Sequence, residues 1–238
     1  MKISVIIPAY NEKNTIEEVI RRVLEVNIPK EIIVVDDGSV DGTTEILQKI
    51  QKENGQIKVE YLTENQGKGA AIQAGLKEIT GDIVIIQDAD LELNPHEYST
   101  LIKPIVEKKA KVVYGSRFLN KVNGLSTFSY VGNKAVTWAT NFLYGTHLTD
   151  QATGYKVFES DVIRRIPLER RGFEFCSEVT AKVRRLGYDI VEIPVSYVPR
   201  PKEEGKKVTW KDGFKALQTL WKYRSFSPND KDEKRKPE

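Results

Sequence analysis

Cysteine is nearly absent from this 238-residue chain. Cys176 stands alone, so no internal disulfide can form. Histidine is scarce too, with only His96 and His147, which excludes a zinc site built from Cys and His ligands. Long apolar runs are missing. The nearest approach, residues 125–144, is interrupted by Ser126, Thr127, Ser129, Asn133, Lys134 and Asn141, and it falls short of the ~18 uninterrupted apolar residues of a spanning helix. No charged and apolar leader pattern precedes the first strand. Nor is there a large excess of either charge. Lys plus Arg number 37 and Asp plus Glu 34, a net of +3, less than a nucleic-acid binder carries. These absences predict a reducing, cytoplasmic location, compatible with peripheral contact at the cytoplasmic face of a membrane, and no nucleic-acid partner.

Hydrophobic residues at 39% and charged residues at 30% fit a soluble protein with a sizeable core. The first half alternates between two periodicities. Short apolar runs at Lys2–Pro8, Glu31–Asp36, Ile57–Leu62, Asp82–Gln87 and Lys111–Gly115 predict strands. Segments with helical spacing separate them, at Asn14–Val26, Asp41–Lys52, Lys68–Ile79 and Pro95–Lys109. Strands that are apolar on both faces, each followed by a helix, predict an α/β fold. The expected sheet is mostly parallel and covered by helices on both sides. The second half predicts helices at Thr127–Tyr144, Glu174–Leu186 and Thr209–Tyr223, with strands at Gly154–Phe158 and Tyr188–Val195. One domain over residues 1–224 follows. Residues 225–238, with four basic and four acidic residues and almost nothing apolar, predict a disordered tail.

Ligands of such sheets bind outside the carboxyl ends of the strands. The segments found there are PAYNE, DDGS, TENQGKG and DADLE, all polar or glycine-rich. Asp88 and Asp90 lie two residues apart after an apolar strand, so in extended backbone they point the same way. Two carboxylates on one side call for a positive charge between them, and hard oxygen donors select Mg2+ or Mn2+. Glu92 is a candidate third ligand. The same residues also read as a solvated acidic turn ahead of a helix. Asp36 and Asp37 read either as acceptors for a base or ribose or as turn residues, with Asp41 capping the next helix. Gly67, Lys68 and Gly69 at a helix start suit an anion, although neither a P-loop nor a dinucleotide fingerprint is present.

Residues 198–224 hold eight basic and three acidic residues, so the positive charge is concentrated there. Trp210, Phe214, Leu217 and Trp221 recur at helical spacing. They read as the inward face of an ordinary amphipathic helix or as a surface that meets anionic lipid. Cys176 reads as a small buried apolar residue, and His147 has no nucleophilic partners at triad spacing.

The ordered set ISVIIPAYNE, IIVVDDGSVDGT, ENQGKGAAIQAG and GDIVIIQDADLE resembles the family-2 glycosyltransferases with the GT-A fold, from the N-terminus to about Tyr223. YGSRF at 114–118, TDQATGYKVF at 149–158, GFEFCSEVTAKVRRLGY at 172–188 and EIPVSYVPRPKEEGKKVTWKDG at 192–213 are similar to the polyprenyl-phosphate branch, the dolichyl-phosphate mannose or glucose synthase type. The resemblance implies an inverting, metal-dependent transfer of a hexose from a GDP- or UDP-sugar to a polyprenyl (dolichyl) phosphate. An alternative is a soluble family-2 transferase acting on a sugar or protein hydroxyl. Residues 1–117 would bind the nucleotide sugar and residues 118–224 the acceptor. By the same resemblance, Pro8, Ala9, Tyr10, Glu12, Asp37 and Gly38 hold the base and ribose, and Lys68 assists them. Asp88, Ala89 and Asp90 meet the diphosphate, and Asp88, Asp90 and Glu92 meet the ion. Arg117, Arg200 and Lys206 bind the diphosphate and the acceptor phosphate. A hydroxyl acceptor would need a carboxylate base, for which Glu178 is the candidate.

Overall fold

The computed structural model describes residues 1–120, 127–199 and 210–227. Its centre is a seven-stranded sheet. The first four strands are β1 (Ile3–Ala9), β2 (Lys30–Asp36), β3 (Ile57–Tyr61) and β4 (Ile83–Ile86). The last three are β5 (Val112–Ser116), β6 (Lys156–Glu159) and β7 (Ile190–Pro194). The order across the sheet is β3-β2-β1-β4-β6-β5-β7. All pairings are parallel except those of β6, which runs antiparallel to β4 and β5. The mostly parallel α/β sheet expected from the sequence is thus present.

The alternation of side chains along each strand fills two cores. Ile3, Val5 and Ile7 of β1 and Ile32 and Val34 of β2 face one side. There they meet α1 (Ile16–Glu25), α2 (Thr43–Glu53) and α4 (Tyr98–Val106). Ile6, Ile33 and Val35 face the other side, with α3 (Lys68–Leu76), α6 (Ser160–Arg164) and α7 (Phe175–Arg185). Since every core position of β1 and β2 is within 1% of full burial, both faces exclude water, and a continuous apolar run is what such a strand requires.

Two elements differ from the sequence reading in detail. The helix expected from Pro95 opens as a 3-10 turn over Pro95–Glu97, with Asn94 accepting a hydrogen bond from the His96 N–H at 3.1 Å. The short α6 has too few residues for a periodic signal and was not expected from the pattern.

A second helical layer lies outside α7. Val179 and Val183 of α7 face the sheet, while Ala181 faces α5 (Thr127–Tyr144) and α8 (Trp210–Lys222). The small cluster there is completed by Val136, Tyr144, Leu220 and Tyr223. Of the expected tail, Ser225 closes a short turn and Phe226 packs on this cluster, while residues 228–238 lie outside the described residues. Among the described residues no helix is long and apolar enough to cross a membrane.

Candidate active site

The four segments after β1, β2, β3 and β4 come together at the carboxyl edge of the sheet and are laced to one another. Thr15 stands at the start of α1, but its hydroxyl does not cap that helix. Its one proton is instead shared between the Glu12 carboxylate at 2.8 Å and the Ala89 carbonyl at 2.9 Å, joining the PAYNE loop to the DADLE turn. The Glu12 N–H donates to Thr43 Oγ1 at 2.9 Å, which joins the first loop to α2. Asn11, at φ +52°, accepts from the Val40 N–H at 2.9 Å. Asp41 accepts from the Thr43 N–H and hydroxyl, so it braces the start of α2.

Asp37 occupies the centre of this rim. Its carboxylate accepts the N–H groups of Gln66 and Gly67, each at 2.8 Å. Burial pushes its pKa up against the pull of those two donors. Gly38, at φ +69°, runs so close to the Glu64 and Asn65 backbone that a Cβ would overlap it. The anion site expected at the start of α3 is closed: the Asp37 carboxylate takes two N–H groups there, and the Ala70 N–H donates to the Arg171 carbonyl at 3.0 Å. The 170–171 backbone also lies where Cβ atoms of residues 67 and 69 would stand. These glycines serve close backbone packing, a need that looks the same in sequence as a phosphate cradle.

Lys68 is turned into the site and forms an ion pair with Asp88. Burial acts to lower its pKa, but the charges of Asp88 and Asp90 overcome that and raise it, so the amine stays charged. Asp90 accepts the Glu92 N–H at 3.2 Å. Among the described residues no three of His, Cys, Asp and Glu gather as a group that could hold a metal ion alone. The expected trio of Asp88, Asp90 and Glu92 is therefore not assembled. Burial raises the pKa of the Tyr197 phenol, and the charge of the nearby Glu92 carboxylate raises it further.

The opposite wall carries Arg117. Its guanidinium meets Asp150 through two bonds, Nε at 2.7 Å and Nη2 at 2.8 Å, and it lies 5.1 Å from the Tyr197 ring centre. Asp150 is fully buried and also accepts from Asn133 Nδ2 at 2.9 Å. Burial opposes both charges, yet the pairing wins: Arg117 is raised and Asp150 lowered. Asp150 thus fixes the plane of the Arg117 guanidinium. Asp150 and Tyr197 were not singled out in the sequence. The only signal was their place within the TDQATGYKVF and EIPVSYVPRP segments.

Glu178 is a correction. It is fully buried in α7, paired with Lys182 at 2.6 Å, and it accepts the N–H groups of Glu169 and Arg170. Both carboxylate oxygens are occupied in tethering the 167–170 segment, so it does not face an acceptor hydroxyl as a general base must. Cys176 is half-buried against the α3–α7 core, as an apolar residue would be. Arg200 and Lys206 lie outside the described residues.

The model of glycosyl transferase family 2 matches residues 4–171, most of the chain. The chain belongs to glycosyltransferase family 2. Among relatives of this family-2 chain, an undecaprenyl-phosphate mannosyltransferase of Micrococcus luteus is 30% identical over 217 residues, 87% of each chain. A UDP-N-acetylglucosamine–dolichyl-phosphate N-acetylglucosaminyltransferase of Methanococcus voltae is 29% identical over 92% of this chain and 94% of that one. Among solved structures, glucosyl-3-phosphoglycerate synthase of Mycobacterium tuberculosis with Mn2+, UDP and glucosyl-3-phosphoglycerate superposes with a TM-score of 0.70 at 22% identity, over 95% of this chain and 81% of that one. This likeness carries the fold, which the family-2 chain shares.

Proposed function

We propose that this family-2 glycosyltransferase moves a hexose from a GDP- or UDP-sugar to a polyprenyl phosphate at a membrane surface. Residues 1–117 form the donor half and 118–224 the acceptor half. The single observation that carries the lipid acceptor is the outer face of α5 and α8. Trp210, Phe214, Leu217 and Trp221 point outward, with Trp210 68%, Phe214 59% and Trp221 59% exposed. On α5, Trp138 and Phe142 are stacked on each other and exposed 69% and 75%. Lys211, Lys215 and Lys222 accompany them on α8. Aromatic side chains beside lysines suit the headgroup boundary of a bilayer. The two relatives above, whose names specify polyprenyl phosphates, support the same acceptor.

In this reading Pro8, Ala9, Tyr10, Glu12, Asp37 and Gly38 take the base and ribose. Lys68, Asp88 and Asp90 meet the diphosphate. Asp88 and Asp90, whose charges both bear on Lys68, would hold a Mg2+ or Mn2+ ion bound together with the diphosphate. When bound, that ion neutralises charge on the departing nucleoside diphosphate. Lys68 adds a fixed positive charge from the next loop. Arg117, held by Asp150, would bind the acceptor phosphate, a role that the family resemblance also gives Arg200 and Lys206. A phosphate oxygen of the acceptor forms the new bond to the anomeric carbon from the face opposite the leaving group. The old bond between that carbon and the diphosphate breaks, its electron pair leaves with the diphosphate, and the configuration inverts. The attacking phosphate is already an anion, so no protein base is consumed. A hydroxyl acceptor would need one, and the residue expected for that task, Glu178, is locked in the core.

The test offers labelled GDP-mannose, UDP-glucose and UDP-N-acetylglucosamine to dolichyl phosphate in vesicles, with Mn2+, with Mg2+ and with EDTA. The expected result is a chloroform-soluble product that EDTA abolishes. Transfer to soluble sugars or proteins with no lipid product would overturn the lipid acceptor.

A further inference from the structure

Gln87 closes β4 and stands directly behind the acidic turn. It is fully buried. A buried amide is costly unless its donors and acceptor are paired. Here the pairing has a direction. Gln87 Oε1 accepts the hydroxyls of Tyr98 and Tyr155, each at 2.8 Å, and its Nε2 donates to the Asp88 carbonyl at 3.0 Å. Tyr98 opens α4 and Tyr155 leads into the antiparallel strand β6. Neither phenol is exposed, and their rings meet edge to face at 6.0 Å. Burial pushes both phenols well above their usual pKa, so both remain hydrogen-bond donors. The Asp88 carbonyl permits only one orientation of the amide, because a flip would set Oε1 against that carbonyl oxygen, two acceptors face to face.

We propose that Gln87, oriented by Tyr98 and Tyr155, is a positioning residue that fixes the 88–90 turn for a divalent ion bound with a nucleoside diphosphate. The inference rests on the function proposed above.

The turn is held at successive carbonyls. Gln87 holds that of Asp88, and Thr15 holds that of Ala89 at 2.9 Å. The residue before Tyr155, Gly154, lies so close to the Asp88 carboxylate that a Cβ there would overlap it. One turn of chain, 154–155, therefore acts on the acidic turn from both the front and the back. Apolar residues of similar shape would fill this space without desolvating three polar groups. What the polar set adds is a single orientation of the peptide that carries both carboxylates. Partners of this kind change metal affinity by about 10- to 100-fold.

The test is Mn2+ binding followed by electron paramagnetic resonance, with UDP and with GDP, for the wild-type chain, Gln87→Met, Gln87→Glu and Tyr155→Phe. Binding of metal-free nucleotide is measured in parallel. Gln87→Met and Gln87→Glu both lose the Nε2 donor, and each is expected to weaken Mn2+ binding in the nucleotide complex by about tenfold. Metal-free nucleotide binding should stay within about twofold, since the Asp37 rim is untouched. Tyr155→Phe removes one hydroxyl and is expected to weaken Mn2+ by a smaller factor. It serves as the readout should the Gln87 variants fail to fold. Folded variants that bind Mn2+ as tightly as wild type overturn the inference and leave the proposed function standing. A wild-type chain that binds no Mn2+ with either nucleotide overturns both.

Discussion

α1 and α8 are both amphipathic helices, yet they meet opposite surroundings. On α1, Ile16, Val19, Ile20 and Val23 are within 2% of full burial against the sheet. On α8, the stripe of Trp210, Phe214, Leu217 and Trp221 faces outward, while Thr219 and Leu220 on its other side are buried. Thr219 and Leu220 sit against α5 and α7 in a small cluster, with the phenol of Tyr144 donating to the Leu220 carbonyl at 2.5 Å. Hydrophobic periodicity fixes that a helix has an apolar face. It does not fix whether that face meets the protein or a bilayer. A contiguous exposed aromatic face of this kind marks an interaction site.

The comparison can be broken first at α7, the helix between the two regions. If Glu178 is a tether, Glu178→Ala strips buried Lys182 of its nearer carboxylate, leaving it Glu169 at 3.5 Å and the Pro167 carbonyl, and unpairs the Glu169 and Arg170 N–H groups; it costs about 3 kcal/mol of stability, read as a lower denaturant midpoint. Glycosyl transfer per folded molecule should stay near the wild-type level. Transfer that collapses with stability intact would return Glu178 to a chemical role.

A smaller effect is expected at the opposite end of the sheet. Glu31 is largely buried, and burial alone would raise its pKa. Hydrogen bonds from Lys2, Ser4 and Thr80 prevail and hold it at about 2, below the ordinary glutamate value of 4.5. A lowered pKa in the folded chain stabilises it above the unfolded value, and that gain is lost as pH falls through the folded one. Glu31→Gln should therefore cost about 2 kcal/mol at neutral pH. The difference from wild type should shrink from pH 4.5 downward and vanish near pH 2. A difference that does not change with pH would show that shape, not charge, holds this corner.

The smallest change in stability belongs to the outward face. Trp210→Ser and Trp221→Ser should each alter unfolding free energy by no more than about 0.5 kcal/mol, as for exposed positions. Binding to vesicles that contain anionic lipid should nonetheless fall, by about tenfold for the pair, as buried apolar area is lost from the interface. The same substitution at Ile20 of α1 would destabilise without touching vesicle binding. Loss of stability at Trp221 with unchanged vesicle binding would mean that the face packs on protein.

Much of the rim built by residues 1–117 was legible in the sequence for a physical reason. A parallel sheet buries both faces, so its strands read as unbroken apolar runs. Polar and glycine residues at their ends can then only stand at the rim. Asp37, Lys68, Asp88 and Asp90 follow from that alone, and the structure brings them together through the Asp37 contacts and the Lys68–Asp88 pair. The part played by the second half of the chain was less legible because its residues answer to partners far along the chain. Asp150 matters through Arg117, 33 positions away, and Tyr155 through Gln87, 68 positions away. Glycines 67 and 69 misled in the same way, since the 170–171 backbone that requires them is about 100 residues distant.

The sequence by itself determined the sheet, the helices that cover it and the polar rim at its carboxyl edge, because period and burial are local properties of a strand or helix. Only the tertiary structure decided what each carboxylate meets. Asp88 is paired with Lys68 at the rim, Asp90 accepts the Glu92 N–H, and Glu178 is sealed in the core. It also decided which way the apolar stripe of α8 turns. A charge or an aromatic ring takes its role from what lies opposite, and that partner is set by packing between distant segments.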